Sequence, residues 1–242
     1  MDGAVSFLLD ILESSKLSEV SIGLEQLEKL LLQLLPEMKQ YQNNGTMSSD
    51  LDDFIKLQDN FGFNLTSCLV KLYRKNLSKS DIVLLNRNLQ GLLLLHPPSK
   101  TVFNREANMQ SILDLLNKDD NKLITITTIT TLIHILLKNY DNYRSFESNN
   151  GCPMLIHHLS LASVYDIEVD GVPQPSSLGK SKSLYSIEQL LNFKIIEFLM
   201  LYMSEEIGNP DPHTVEMKSD LFRDEFPAID LLIESLSELD KL

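Results

Sequence analysis

The strongest constraint on the fold is a recurrence. Moving residues 88–116 forward by 43 positions lays Leu89 on Leu132, Leu92 on Ile135, Leu93 on Leu136, Phe103 on Phe146, Ile112 on Leu155 and Leu116 on Leu159. The polar corner is carried along, with His96 on Asn139, Ser99 on Asn142 and Asn108 on Gly151. The same shift applied upstream sets Leu69 on Ile112 and Leu72 on Leu115. A period of 43 residues falls within the range of armadillo and HEAT units, which bury their apolar faces only by stacking on one another. The expectation is an all-α chain: an armadillo/HEAT-like right-handed helical-repeat superhelix, with residues 1–242 forming one armadillo-like domain.

Apolar spacing places the helices. Residues 3–16 and 20–41 read as the first two, with Ser21 as an opening residue and Pro36 as a kink or stop. The polar stretch 43–53 reads as a loop whose Asp50 caps a short helix over 51–58. Helices follow over 63–75 and 80–95, the latter burying Ile82, Val83, Leu85, Leu89, Leu92 and Leu93. Pro97 and Pro98 end it, because the residue before a proline is pushed out of the helical region. Residues 99–105 make one or two turns with Ser99 as cap and Phe103 turned inward, and 108–116 form the next helix. The threonine-rich run from about Leu123 has strand propensity. Its unbroken continuation into Leu132, Ile133, Leu136 and Leu137, and its register on the previous unit, make it a helix. Helices over 141–147 and 151–161 complete that unit. Residues 163–183, with Gly171, Pro173, Pro175 and Gly179, read as a flexible insertion on one face of the array. A helix over 184–203, a loop over 205–213 and a terminal helix over 227–239 finish the chain.

The chain carries 34 acidic against 21 basic residues, a formal net charge of -13. Such a surface repels phosphate backbones and anionic bilayers, so neither nucleic acid nor membrane insertion is expected. The densest basic run, Lys71, Arg74, Lys75 and Lys79, reads as a solvated helix end. Cys68 and Cys152 lie far apart among apolar neighbours and read as buried free thiols, which suits a reducing compartment. No basic leader opens the chain, and no apolar run approaches the length of a spanning helix. A soluble, intracellular protein is expected.

Catalytic patterns are missing from the sequence. His157 and His158 are adjacent and so point apart on a helix, while His96, His134 and His213 have no cysteine or carboxylate at ligand spacing. His96 reads as a helix-end residue bonding terminal carbonyls, and His134 as a packing residue. No metal and no cofactor are expected. Stacked helical units instead present a ridge suited to binding a partner. Asn86, Arg87 and Gln90 are placed on that ridge beside Ile129 and Thr130 of the next unit, and His96, Lys100, Asn139, Tyr140 and Arg144 decorate the corners. Phe103, Ile112, Leu116, Phe146, Leu155 and Leu159 are assigned to the core.

One stretch also carries a likeness. The run His96-Pro97-Pro98-Ser99-Lys100, followed by Phe103, Arg105-Glu106, Asn108-Met109 and Ile112-Leu113-Asp114-Leu115-Leu116, resembles the signature region of the fungal cell division control protein 14 family. That family is a septation initiation network component, unrelated to the phosphatase that shares its number. The likeness extends through the FES-x-x-G segment at 146–151 and the leucine-rich N-terminal helices. It implies a non-catalytic subunit that binds a germinal-centre-type Ser/Thr protein kinase, supports its activity in cytokinesis and septum formation, and is cytoplasmic, moving to the spindle pole body in mitosis. His96, Ser99, Phe103, Asn108 and Met109 are family-typical positions, with His96 and Lys100 as surface contacts. The alternatives are an adaptor for a spindle-pole or cytoskeletal anchor that leaves kinase activity unchanged, and an unrecognised hydrolase or transferase.

Overall fold

The computed structural model describes residues 1–118, 121–160 and 186–239. Every regular element among them is helical: α1 (Asp2–Leu12), α2 (Leu17–Asn44), α3 (Ser49–Asp59), α4 (Leu65–Leu72), α5 (Lys79–Leu95), α6 (Glu106–Lys118), α7 (Lys122–Leu136), α8 (Tyr140–Ser148), α9 (Gly151–Ile156), α10 (Ile187–Tyr202), α11 (Val215–Arg223) and α12 (Ile229–Leu239). Short 3-10 stretches cover Phe61–Phe63 and Pro97–Asn104. The expected insertion at 163–183 lies outside the described residues.

A short element, a helix and a long helix recur in that order. The first unit is the Phe61–Phe63 turn, α4 and α5; the second is the Pro97–Asn104 stretch, α6 and α7; the third is α8, α9 and α10. The period holds to the residue at the long helices: α5 opens at Lys79 after Ser78, and α7 opens at Lys122 after Asn121. Long helices α2, α5, α7 and α10 lie side by side, each packed on the next. α6 packs against α7 and α9, and α11 against α9. This is a helical-repeat, solenoid-like architecture.

Local chemistry sets the boundaries. Side chains of Ser48, Asn64, Ser78, Asn121, Asn139 and Thr214 each accept a backbone N–H of the helix that follows. Ser186 and Gln189 form a reciprocal capping box on α10. Each such cap is worth about 1 kcal/mol. Ser48, three residues before Leu51, caps α3, and Asp50 instead lies in its first turn, where the positive end of the helix favours a carboxylate. α2 begins at Leu17, upstream of Ser21, and runs 28 residues straight through Pro36 to Gly45, whose φ of 71° closes it. Pro36 removes the bond to the Leu32 carbonyl, and Leu32 is 62% exposed, so the interruption falls on the solvent side of the helix, where water can satisfy a freed carbonyl.

The threonine-rich run is helical, and its hydroxyls find partners on the helix's own carbonyls or on α5. Thr130 and Thr131 bond the carbonyls of Ile126 and Thr127, and Thr127 bonds that of Ile124. Thr125, Thr128 and Thr131 are buried at helical spacing. α11 falls between the loop expected over 205–213 and the helix expected over 227–239, where no element was placed; its Lys218, Ser219 and Phe222 are buried.

The core runs the length of the stack through Leu24, Leu27, Leu85, Leu89, Leu92, Ile129, Leu132, Ile135, Ile195 and Phe198. Each such side chain contributes roughly 1.5–3 kcal/mol. Phe103, Ile112, Leu116, Phe146 and Leu155 are buried, and Leu159 is half-buried against the cluster. Cys68 on α4 and Cys152 on α9 are free and buried. Burial pushes the Cys68 thiol up to about 11, and raises that of Cys152 further.

Candidate binding face

The two edges of the long-helix layer differ. At one edge the chain turns between units, and its polar groups bond from corner to corner. His96 is buried, with Nε2 2.9 Å from Asp59 Oδ1 and Nδ1 2.8 Å from Ser99 Oγ. Asn64 Nδ2 donates to Ser99 Oγ at 2.8 Å, joining the first corner to the second. Lys100 Nζ donates to the Leu137 carbonyl at 2.7 Å, and Asn142 Nδ2 donates to the carbonyls of Lys100 and Ile135, both at 3.0 Å. These tie the second corner to the third. Tyr140 donates its hydroxyl to the Ile207 carbonyl at 3.1 Å, and Arg144 bonds Glu206 Oε1 at 2.5 Å, so the third corner is tied to a fourth after α10.

The fourth corner holds a buried charge cluster. The Glu206 carboxylate is inaccessible and meets Arg144, Lys218 Nζ at 3.1 Å and the Asn209 amide. Burial works against this carboxylate, but Asn209, Lys218 and Arg144 together outweigh it and hold its pKa below the ordinary glutamate value. Lys218, itself buried, also donates to the Ser204 carbonyl and sits 5.5 Å from the ring centres of Tyr143 and Tyr202.

Most residues singled out in the sequence are engaged in this internal bonding. Asn86, expected to be exposed, is fully buried: it accepts the Tyr73 hydroxyl at 2.7 Å and donates to Thr127 and Thr128, linking α5 to α7. A polar residue on an otherwise leucine-rich helix looked like surface, but it answers the threonines of the neighbouring helix. His96 is likewise buried and bonds side chains, where a surface contact and terminal carbonyls were expected. Gln90 is half-buried and donates to Thr127 O and Thr131 Oγ1. Arg87 remains exposed and pairs with Glu28 of α2 at 2.5 Å. Asn139 caps α8, while Lys100, Tyr140 and Arg144 form the corner bonds above. Burial lowers the pKa of Lys100, with Lys138 adding to the effect.

The layer's open side is apolar. Across α2, α5 and α7 runs a groove of about 230 Å³, lined by Leu32 and Leu35 of α2, Arg87, Gln90 and Leu94 of α5, and His134 of α7. Leu32 is 62% exposed and Leu94 48%. One repeat further on in sequence, Leu137 matches Leu94 by register and is also exposed, but it lies just past the end of α7 as its C-cap. His134 Nδ1 bonds the Thr130 carbonyl at 2.8 Å. Burial lowers its pKa, opposed by that bond, so the ring is neutral at neutral pH; Lys194 and Glu197 of α10 are close enough to act on its charge. No cofactor chemistry arises from this lining. What it offers is a shape for the apolar side chains of a partner, with Gln90 and His134 as polar fixtures.

The helical spacing that buries Leu92 and Leu93 leaves Leu94 out, and the structure places Leu94 48% exposed beside the buried Leu92, Leu93 and Leu95.

A stack of helical units with one edge bonded shut and one apolar face open is a helical-repeat scaffold by class. A family model described as "Cell division control protein 14, SIN component" matches residues 1–213, and the chain belongs to that family. It is 22% identical over 213 residues to Cell division control protein 14 of Schizosaccharomyces pombe, covering 82% of this chain and 75% of that protein. No solved structure matches the chain. The family is the septation initiation network component and not the phosphatase, so the chain has a regulatory, non-catalytic role in septation. α11 and α12 lie beyond the matched residues.

Proposed function

We propose that this chain holds a germinal-centre-type Ser/Thr protein kinase of the septation initiation network on its open long-helix face and supports that kinase's activity in cytokinesis and septum formation. The observation that carries the reading is the uncovered apolar groove of Leu32, Leu35 and Leu94 on the long-helix face. The unit of one short element and two helices supports an armadillo-like assignment and a single domain, with the long helices as the ligand-bearing ridge. Rigid contact with the active form of a mobile kinase favours that form by the difference in affinity between states. Family membership supports a SIN kinase as partner, and a cytoplasmic protein that reaches the spindle pole body in mitosis follows from that reading.

The test is co-purification of recombinant protein with the candidate kinase, followed by a kinase assay, using wild type and a Leu32→Glu, Leu94→Glu variant. The expected result is binding and stimulation by wild type and loss of both in the variant. Absence of binding and stimulation by wild type overturns the proposal. Binding that leaves kinase activity unchanged replaces it with an adaptor for a spindle-pole or cytoskeletal anchor.

A further inference from the structure

We propose that a second groove, on α4 and α6 and away from the long-helix face, docks an acidic peptide segment of a protein partner. The groove measures about 360 Å³ and lies between α4, α6 and the two 3-10 stretches. Its cations are Lys71 and Arg74 of α4 and Arg105, the residue before α6; its apolar contacts are Val70, Val102 and Phe61. None of its lining side chains is a carboxylate, although the chain has 34 acidic residues against 21 basic ones. The grooves beside Lys122, beside Lys79 and along the long-helix face each include a glutamate: Glu188, Glu25 and Glu28 respectively.

The three cations are available. Arg105 is exposed, and its guanidinium has no hydrogen bond or ion pair among the described residues. Arg74 reaches only the Ala107 carbonyl at 3.4 Å and Ser111 Oγ at 3.5 Å, both at the long limit of a hydrogen bond. Lys71 pairs with Glu13 at 2.9 Å, but both side chains are more than half exposed, so the pair is weak and exchangeable. Two guanidiniums suit the forked geometry of carboxylates. Phe61, 84% exposed at the rim, supplies the apolar anchor that separates a peptide from a simple anion. The chain's net charge of -13 repels large polyanions at long range, so the groove selects a short acidic segment.

Sequence separation concealed this site. Lys71 and Arg74 belong to a basic run that reads as a solvated helix end, but Lys75 turns away to donate to the Ser14 carbonyl, and Arg105 joins the first two from the next unit.

The experiment is fluorescence anisotropy on the full chain with two labelled peptides: glutamates flanking a central phenylalanine, and the same peptide with glutamine at each glutamate. Variants are Arg105→Glu, Arg74→Glu and Phe61→Ser, with Lys39→Glu on α2 as the control for overall charge. Thermal melts followed by circular dichroism check folding, and the exposed Arg105→Glu decides if Arg74→Glu is unstable. Expected are saturable binding of the glutamate peptide, at least about tenfold weaker binding of the glutamine peptide, about tenfold weakening by Arg105→Glu, weakening by Phe61→Ser and little effect of Lys39→Glu. Equal binding of both peptides, indifference to Arg105→Glu, or an equal loss with Lys39→Glu overturns the proposal. Failure here leaves the kinase reading untouched, because its groove shares no residue with this one.

Discussion

The corner edge and the long-helix face are built from the same repeat and do opposite things with their side chains. At the corners, Asn64, His96, Lys100, Asn142, Tyr140 and Arg144 place their polar groups on the preceding or following unit. On the face, Leu32 and Leu94 are exposed. A repeat stack can therefore invert the usual guide to its surface. The polar side chains that look available are the joints, and leucines are left on the open face.

Substitutions at the two edges should separate in kind. The largest effect is expected from Glu206→Gln, which leaves the buried Lys218 without its paired carboxylate, Arg144 keeping Glu147 at 3.2 Å, and should cost about 3 kcal/mol, read as a drop in denaturant midpoint. Asn142→Ala strips a buried amide from two carbonyls of adjoining segments and should cost about 2 kcal/mol by the same measurement. If either variant is as stable as wild type, the corners are not joints.

Acid gives a subtler contrast. The folded pKa of Glu206 lies below its ordinary value of 4.5, so its contribution is complete above that value and is lost as pH falls through the folded pKa. Denaturant midpoints should fall across that acidic window more steeply in wild type than in Glu206→Gln, and parallel curves would remove the carboxylate from the account. The smallest stability change belongs to the face: Leu94→Ser should stay within about 0.5 kcal/mol of wild type, while weakening kinase co-purification on the proposed reading. A large loss of stability there would mean that Leu94 is core after all.

The repeat itself was legible, because burial at fixed spacing leaves its mark on every unit: Leu89 with Leu132 and Phe103 with Phe146 share both register and burial. The boundaries were mostly legible through caps such as Asn121. Two things were not. Pro36 signals a break, yet the exposed side of α2 lets water substitute for one lost donor. Asn86 signals surface, because its partners Tyr73, Thr127 and Thr128 lie on other helices. Both depend on where a residue lies against the rest of the fold, which a single chain of letters does not record.

The two cysteines turn this architecture into its own gauge of opening. Cys68 sits on the helix of the first unit and Cys152 on that of the third, each sealed from solvent and each with its thiol held in the unreactive protonated form. An alkylating reagent reaches either sulfur only after its own unit has opened. Equal modification rates at the two sulfurs mark a stack that unravels as one body, and unequal rates name the end that lets go first.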